Sequence, residues 1–350
     1  MNKYTLLTLS LSFLLSWSAF SQTYVTQVKP AGNKKWGYAT LTGVIIQPQY
    51  EKCYEFSVFG LAPIYDSKQK QYYFINLKGE RLDTEIKQFK LIEGFAFGFD
   101  LTGFVDGLIP VKQGDKWGFL NTEGKLAIPA KYDQVVDFNG GYTSAKIGDK
   151  FVVLDTKGNE SPVDGSVIDV RKFSESLGQF RAADKKVGFI DASGKIVIPA
   201  KFESVGHFKE GLTWAKTDKT VGYINTKGEW VIKPQFEVGK DFDKESGLAR
   251  IKMADKWGYV SKSGEVTYAK DTDIYEDFSN GLARGRKDGK FGFLDSKGEW
   301  AIKPEFDGSR DFKNGYAAVK KGETWGVIDK TGKWVIEPIY DGIRDMELVK

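Results

Sequence analysis

The sequence predicts an all-β protein built from tandem β-hairpin repeats, each forming a small three-stranded meander. Three observations predict this class: apolar residues that alternate over short segments, turns closed by glycine, and one motif that returns at intervals of 34–36 residues, apart from a single interval of 45. A fixed period of this length is typical of repeat architectures. The motif is marked nine times, at Trp36, Tyr72, Trp117, Phe151, Val187, Val221, Trp257, Phe291 and Trp325.

In each repeat the first predicted strand has the form Gly-Leu-Ala followed by basic residues, as at 281–287. A polar turn leads to the second strand, which is Lys-Trp-Gly-Tyr in the seventh repeat. Trp257 and Tyr259 share one face of this strand. Gly258 lies on the other face, where it leaves room for a neighbouring ring or backbone to approach closely. Because both faces are apolar or bare, we expect the strand to be covered on both sides.

A four-residue turn that ends in glycine leads to the third strand, as at 225–228. Glycine tolerates the left-handed backbone that such a hairpin loop requires. The third strand has the sequence Trp-Val-Ile-Lys-Pro-Gln-Phe at 230–236. Proline cannot donate a ladder hydrogen bond, so Pro234 and its equivalents end this strand or place it at the edge of a sheet.

One repeat has too little apolar surface for a core of its own, whereas stacked repeats form a continuous core. Propellers usually have about 4–8 blades of four strands, but this sequence contains nine repeats of three predicted strands. It also begins with a first strand of its own near 24–28, so no split blade is evident. We therefore expect the repeats to stack as an open solenoid; a closed propeller-like ring is the alternative.

The central strands resemble the WG-repeat family of bacterial proteins, also called KWG repeats. Lys-Trp-Gly occurs at 35–37, 116–118 and 256–258, and near matches occur at 290–292 and 324–326. The resemblance covers roughly 30–346 and implies a β-hairpin repeat, generally without an assigned activity. Repeats two, four, five and six depart from the motif, which puts individual interfaces in doubt but not the fold. The structural anchors are Trp36, Gly37, Trp117, Gly118, Trp257, Gly258, Phe291, Gly292, Trp325 and Gly326.

Residues 1–21 have the features of a secretory signal peptide. Lys3 provides a positive start, 6–15 form an apolar core, and Ala19 and Ser21 fit a small-residue cleavage site. The apolar run falls short of the roughly 20 residues that span a bilayer. We expect an exported protein, in the periplasm, at the cell surface or outside the cell. Its mature chain, 22–350, is expected to be a single repeat domain without a membrane span.

The composition argues against several classes of site. The formal net charge is only +4, and the charges are interspersed, so we expect no nucleic-acid partner. Cys53 is the only cysteine, and we expect it to be a buried thiol. With His207 as the only histidine, no His/Cys metal site and no Cys–His pair is expected. The sequence thus predicts no catalytic, cofactor-binding or metal-binding residues.

One acidic position recurs in the repeat. It directly precedes the aromatic residue or methionine that follows each third strand, which we call the marker aromatic. Equivalent aspartates cannot all be general acids, and we interpret them as turn caps that accept nearby backbone N–H groups. His207 occupies the same position in the sixth repeat and is interpreted as a turn residue. The aspartates are Asp137, Asp241, Asp277, Asp311 and Asp345.

The predicted function is that of a non-enzymatic scaffold presenting an extended surface to a protein of the cell envelope or a secreted protein. Trp214, an additional tryptophan in a first strand, is a candidate partner-binding residue. In the alternative, the recurring Trp230, Trp300 and Trp334 stack on a glycan; they can equally pack between repeats. A hydrolase with a carboxylate pair is a third hypothesis, but no pair of acids stands out in the sequence.

One segment, 80–103, breaks the repeat. The distance from the turn glycine to the next marker aromatic is 14 residues in the sixth repeat but 25 in the stretch that ends at Phe104. Insertions in repeat arrays often map to the binding face. Phe95, Phe97 and Phe99 alternate within the segment and are candidate partner-binding residues. The segment either protrudes and binds or packs as a degenerate strand, and both hypotheses stay open at this point.

Overall fold

A computed structural model describes residues 22–92, 101, 103–269 and 271–350 of the chain. The predicted signal peptide, 1–21, lies outside these residues, and so do the candidate binding residues Phe95, Phe97 and Phe99. These interpretations stay predictions.

The described residues form strands and turns but no helix, so the all-β class is confirmed. Repeats one to three contain β1 (Thr23–Pro30), β2 (Trp36–Thr40), β3 (Gly43–Tyr50), β4 (Lys52–Cys53), β5 (Ala62–Asp66), β6 (Gln71–Ile75), β7 (Lys90–Leu91), β8 (Leu108–Gln113), β9 (Lys116–Asn121) and β10 (Leu126–Tyr132). Repeats four and five contain β11 (Gln134–Val135), β12 (Tyr142–Ile147), β13 (Lys150–Asp155), β14 (Glu160–Pro162), β15 (Val167–Ser174), β16 (Leu177–Ala182), β17 (Val187–Ile190) and β18 (Ile196–Phe202).

The remaining repeats continue the same order. Repeats six and seven contain β19 (Ser204–Val205), β20 (Leu212–Thr217), β21 (Thr220–Asn225), β22 (Trp230–Phe236), β23 (Val238–Gly239), β24 (Leu248–Met253), β25 (Lys256–Ser261) and β26 (Val266–Thr267). Repeats eight and nine contain β27 (Ile274–Ser279), β28 (Leu282–Lys287), β29 (Lys290–Leu294), β30 (Trp300–Phe306), β31 (Gly308–Ser309), β32 (Tyr316–Lys321), β33 (Thr324–Asp329) and β34 (Trp334–Ile343), and β35 (Glu347–Val349) ends the chain.

Most sheets have four antiparallel strands rather than the three predicted. The additional strand opens the sheet and has only two residues in most repeats, although β15 and β27 are longer. In the seventh repeat it is β23, which follows β22 after one residue and pairs with β24. A two-residue strand carries no alternation of apolar and polar residues, so the sequence gives no sign of it. The second repeat is an exception, with the three strands β4–β5–β6.

The two ends of the repeat array are joined. The first part of β34 pairs with β33, and its end pairs with β1, where Ile343 lies opposite Val28. β35 also pairs with β1, from Thr23 to Val25. The last repeat therefore supplies the opening strand of the first sheet, as in a split propeller blade. The expected open solenoid is wrong, and its alternative, a closed propeller-like ring, is what the structure shows.

The apolar core explains why closure is favourable. Within the described residues the buried apolar side chains form nine clusters, and each lies between two consecutive repeats. One of them joins the last repeat to the first, packing Ala318 and Val327 against Val28 and Ala39. An open stack would leave both of these faces in water.

A buried aromatic pair recurs at the interfaces between repeats. The ring two residues after the anchor packs edge-on or tilted against the marker phenylalanine of the next repeat. The centroid distance is 4.6 Å for Tyr259 and Phe278. Such pairs contribute about 0.5–1.5 kcal/mol beyond their buried area. The others are Tyr38–Phe56, Phe74–Phe104, Phe119–Phe138, Phe189–Phe208, Tyr223–Phe242 and Phe293–Phe312.

The tryptophan anchors occupy a less buried position than these rings. Trp257 is half-buried, whereas Tyr259 is fully buried. The outer face of the indole is covered by a cation, since the guanidinium carbon of Arg250 lies 4.8 Å from the centre of the Trp257 ring. Lys112 covers Trp117 in the same way at 5.8 Å. The aromatic core of the second strand is therefore formed by the ring two residues after the anchor, such as Tyr259, rather than by the anchor tryptophan itself.

The glycine beside each anchor is required by a close backbone contact. A Cβ on Gly222 would lie 2.4 Å from the carbonyl oxygen of Ile232 and 2.7 Å from the nitrogen of Pro234. At this position the pairing of β22 with β21 shifts its register. The sequence-based prediction of a close approach at this position is confirmed. The glycines with this contact are Gly37, Gly118, Gly188, Gly222, Gly292 and Gly326.

The predicted glycine turns are also confirmed. Gly228 has a φ of +78° and donates its N–H to the carbonyl oxygen of Asn225. The side-chain oxygen of Asn225 accepts the N–H groups of Lys227 and Glu229 at 3.0 and 3.1 Å. This Asx arrangement holds the hairpin between the second and third strands in one conformation.

The described part of the irregular segment belongs to the core. Phe89 is 7% exposed and stacks on Phe74, with ring centres 5.6 Å apart and planes 9° from parallel. Ile86 and Leu101 are buried in the same cluster between repeats two and three. For these residues the hypothesis of a protruding segment is wrong, because they complete an interface whose second sheet has only three strands.

Candidate functional site

A cavity of about 1030 Å³ lies where equivalent loops of consecutive repeats meet. We call the segment between the first and second strands of a sheet, together with the adjoining end of the first strand, its axial loop; it carries the marker aromatic. The axial loops of repeats four to eight line the cavity. The lining residues are Asn139 and members of 171–179, 205–214, 240–244 and 277–279. In a closed ring, equivalent loops converge only towards the centre, so we name this space the axial cavity.

The recurring aspartates lie in the axial loops and link neighbouring repeats. Nε of Arg250 in the seventh repeat lies 2.6 Å from Oδ1 of Asp277 in the eighth. Nε of Arg284 lies 3.4 Å from Oδ1 of Asp311. For Asp277 and Asp311 the interpretation as turn caps is therefore wrong. Because the loops stand side by side at the centre, a guanidinium of the preceding repeat reaches the carboxylate.

An arginine–aspartate pair from a different position of the repeat lies at the seam of the ring. NH1 of Arg310 in the last repeat lies 3.6 Å from Oδ1 of Asp345, which leads into the first sheet. Burial raises the pKa of the Asp345 carboxyl above its usual value, and Arg310 opposes that effect. For Asp277 and Asp311 the arginine partner could have been found in the sequence, since Arg250 and Arg284 recur at the same position of successive repeats.

His207 takes the aspartate position in the sixth repeat and forms part of the cavity wall. It is half-buried rather than on an exposed turn. Its Nδ1 lies 3.2 Å from Nε2 of Gln179 in the preceding repeat. Burial lowers the pKa of the imidazole, and nearby Lys172 lowers it further, although Asp241 opposes both. His207 is therefore uncharged at neutral pH.

Trp214 also lines the axial cavity. It is half-buried and packs against the apolar cluster between repeats six and seven. Its indole N–H faces the carboxylate of Asp241 in the next repeat and lowers the pKa of that group, as Lys209 and His207 do, but burial outweighs them and raises the pKa. Trp214 thus has a structural role and a surface in the cavity, and its predicted part in partner binding stays a prediction.

A second set of polar contacts fixes the axial loops to one another. Oε2 of Glu175 accepts the backbone N–H of Gly211 in the next repeat at 2.9 Å. Oδ2 of Asp243 accepts that of Gly281 at 3.0 Å. These contacts hold the cavity wall in one arrangement, which reduces the ordering that a ligand must impose. Sequence reasoning missed them, although an acid or amide recurs one or two residues after the marker aromatic.

A separate cluster of charged residues lies at the seam of the ring. The ammonium group of Lys313 in the last repeat binds Glu347 of β35 and lies 3.2 Å from Oε2 of Glu55 in the second repeat. Burial, together with the neighbouring Glu55, raises the pKa of Glu347 to about 8. The two carboxylates enclose one ammonium group, so the cluster joins three parts of the chain. Asp345 and Arg310 lie next to it.

This cluster makes stability depend on pH. A carboxyl group with a raised pKa in the folded state binds a proton that the unfolded chain releases. The free energy of unfolding should therefore fall as the pH rises from about 4.5 to about 8. Glu347→Gln should remove most of that fall, which is at most about 5 kcal/mol for this group, measured by urea unfolding at several pH values. Glu323→Gln, at a side chain 98% exposed, is the control. A parallel pH dependence in the Glu347 variant and the wild type would contradict the assignment.

The recurring third-strand tryptophans pack between repeats. Trp230 meets Phe202 of the preceding repeat edge-on, with centroids 5.7 Å apart. Trp334 meets Phe306 in the same way at 5.9 Å. Of the two interpretations made from the sequence, the structure shows packing for these two rings. They therefore do not form a row of free rings on which a glycan could stack.

Two further observations concern the described residues alone. No group of three or more His, Cys, Asp or Glu side chains among them is arranged to hold a metal ion. None of their segments is a helix with the length and apolarity that a membrane crossing requires.

Comparison with solved structures agrees with the ring architecture, since the similar structures have β-propeller-like folds. A eukaryotic initiation factor has a TM-score of 0.60 at 12% identity, over 94% of this chain and 98% of that chain. The dihydro-heme d1 dehydrogenase NirN has a TM-score of 0.45 at 11% identity, and the match covers 92% of this chain and 74% of that chain. BamB from Moraxella catarrhalis has a TM-score of 0.37 at 12% identity, and the match covers 80% of this chain and 88% of that chain. At such identities the first likeness shows a common fold, and the other two carry no argument.

Comparison with curated protein sequences finds no match. The family model of the WG containing repeat matches 95–117, 117–151, 188–220, 222–257, 257–291, 291–325 and 325–347, more than half of the chain. The structure adds antiparallel sheets in the first two repeats, which the family model leaves out, although the second has only three strands. The anchor glycines and the recurring aromatic pairs agree with these matches. The chain belongs to the family of proteins built from WG-containing repeats.

Proposed function

We propose that the mature chain is an exported, non-catalytic scaffold that binds a protein partner at its axial cavity. The observation that carries the proposal is the cavity itself, whose wall is formed by one equivalent loop from each of five repeats. Its volume of about 1030 Å³ lies at the upper end of the range for ligand sites. It is lined by charged side chains of both signs, which suits recognition of a polypeptide. The features of 1–21 support export.

The fixed geometry of the wall further supports binding. Inter-repeat contacts such as those of Arg250 with Asp277 and of Glu175 with Gly211 hold neighbouring loops in place before a ligand arrives. A preformed site loses less conformational entropy on binding. A glycan partner has less support, because Trp230 and Trp334 pack against the preceding repeats.

Blocking the cavity tests the proposal. Lys244 lies on the cavity wall with its side chain 82% exposed. In a Cys53→Ala background, Lys244→Cys labelled with a polyethylene glycol maleimide should lose at least tenfold in capture of an envelope protein from the native host. The same label at Lys297→Cys, on an exposed hairpin turn, should leave capture unchanged.

Two results would contradict the proposal. Equal capture by both labelled chains would show that the partner binds elsewhere, and retention of polysaccharide without protein would favour the glycan alternative. Export is checked in the same preparation from the native host, since the N-terminal residue of the recovered protein should be Gln22.

A further inference from the structure

We propose that the axial cavity recognises an acidic segment of the partner, through cations contributed by repeats five to seven. This inference rests on the proposed function and specifies the chemistry of its ligand. It depends on which charges of the cavity wall are already paired within the protein and which are available.

Most of the acidic side chains in the wall are paired. Glu175, Asp243 and Asp277 take part in the inter-repeat contacts described above. An oxygen of Glu210 lies 3.7 Å from the ammonium nitrogen of Lys244. These carboxylates serve the architecture, so the cavity has little negative charge to offer a basic ligand.

Two basic side chains in the wall are available. Lys172 and Lys240 are half-buried residues, and their ammonium groups have no hydrogen-bond or ion-pair partner among the residues that the structure describes. Arg171 is paired with Asp169 at 3.5 Å, and Lys209 with Asp241 at 4.0 Å. Lys172, Lys209 and Arg171 nevertheless act on the imidazole of His207 from the same part of the wall, as Asp241 does with opposite sign. Unpaired cations at the edge of a cavity attract and hold anions.

His207 adds a directional donor to these cations. The amide nitrogen of Gln179 donates to the carbonyl oxygen of Gly206 at 2.6 Å, which fixes the orientation of the amide. The same nitrogen lies 3.2 Å from Nδ1 of His207, which must therefore accept. In the neutral ring the proton is then on Nε2. A neutral N–H donor beside several ammonium groups suits a carboxylate.

The volume of the site favours a peptide over a small anion. A cavity of about 1030 Å³ admits several residues, and its cations come from three repeats rather than from one point. An extended segment with several aspartate or glutamate side chains can contact Lys172 and Lys240 at once. The structure thus assigns to the cavity an acidic polypeptide segment as its ligand.

The test uses the whole mature chain and a fluorescent octaglutamate peptide at low ionic strength. The peptide should bind, and its affinity should fall as salt is added. Lys172→Glu and Lys240→Glu should each weaken binding about tenfold, because the substitution places a negative charge beside an anionic ligand. Lys303→Glu makes the same change of charge on an exposed third strand and should leave the affinity unchanged. Equal melting temperatures establish that the variants are folded.

A basic peptide and an anionic nucleic acid complete the experiment. Octalysine should bind at least tenfold more weakly than octaglutamate. The affinity for oligothymidylate should also be lower than that for octaglutamate. Three results would overturn the inference. Octalysine or oligothymidylate could bind with the same affinity as octaglutamate. The Lys172 and Lys240 variants could also keep the wild-type affinity, as Lys303→Glu should. If the maleimide label still blocks partner capture while octaglutamate fails to bind, the proposed function stands and only this inference falls.

Discussion

Ending the chain at Tyr340 is expected to lower the free energy of unfolding by about 5–8 kcal/mol. The deletion removes Ile343, Met346 and Val349, which are 3%, 1% and 5% exposed. Burying an apolar side chain of this size contributes about 1.5–3 kcal/mol. The first sheet also loses its opening strand, so that β1 becomes an unpaired edge. Urea unfolding followed by tryptophan fluorescence measures the loss.

Removal of Lys350 alone is the control for this truncation. Its described contact is one backbone hydrogen bond, from its N–H to the carbonyl oxygen of Val58 at 2.9 Å. Its loss should cost about 1 kcal/mol or less. If the chain that ends at Tyr340 unfolds at the same urea concentration as the full chain, closure of the ring does not stabilise the protein.

Gly222→Ala is expected to cost about 3 kcal/mol, at the upper end of the usual penalty for overpacking. The added Cβ would lie 2.4 Å from the Ile232 carbonyl oxygen and 2.7 Å from the Pro234 nitrogen. Both are backbone atoms of β22, so relief requires the strand to move from its partner. Urea unfolding of the variant and the wild type gives the difference.

Gly258→Ala is the matched control, because it changes the same position of a different repeat. There the nearest atoms to the added Cβ are ring carbons of Tyr268 at 3.0 Å. Tyr268 is 40% exposed and can rotate away. We expect a cost of about 1 kcal/mol. Equal losses at Gly222 and Gly258 would show that the backbone contact is not what requires glycine in this position.

The periodic features of the fold could be predicted because each is encoded within one repeat. Glycine turns, the paired aromatics and the close approach at the anchor glycine depend on residues a few positions apart, as in the turn from Asn225 to Gly228. The candidate site was only partly accessible. His207 and Trp214 were singled out, but their common cavity wall depends on how the loops of different repeats converge.

The sequence by itself determined the class of the protein: an all-β chain of WG-containing repeats whose apolar strands must be covered on both faces. Only the tertiary structure decided that the repeats close into a ring, because closure depends on pairs as distant as Val28 and Ile343. The ring in turn brings equivalent loops together at the centre, where Asp277 meets Arg250 of the neighbouring repeat. Local patterns specify which surfaces must be buried. The curvature accumulated over all the repeats decides which surfaces meet.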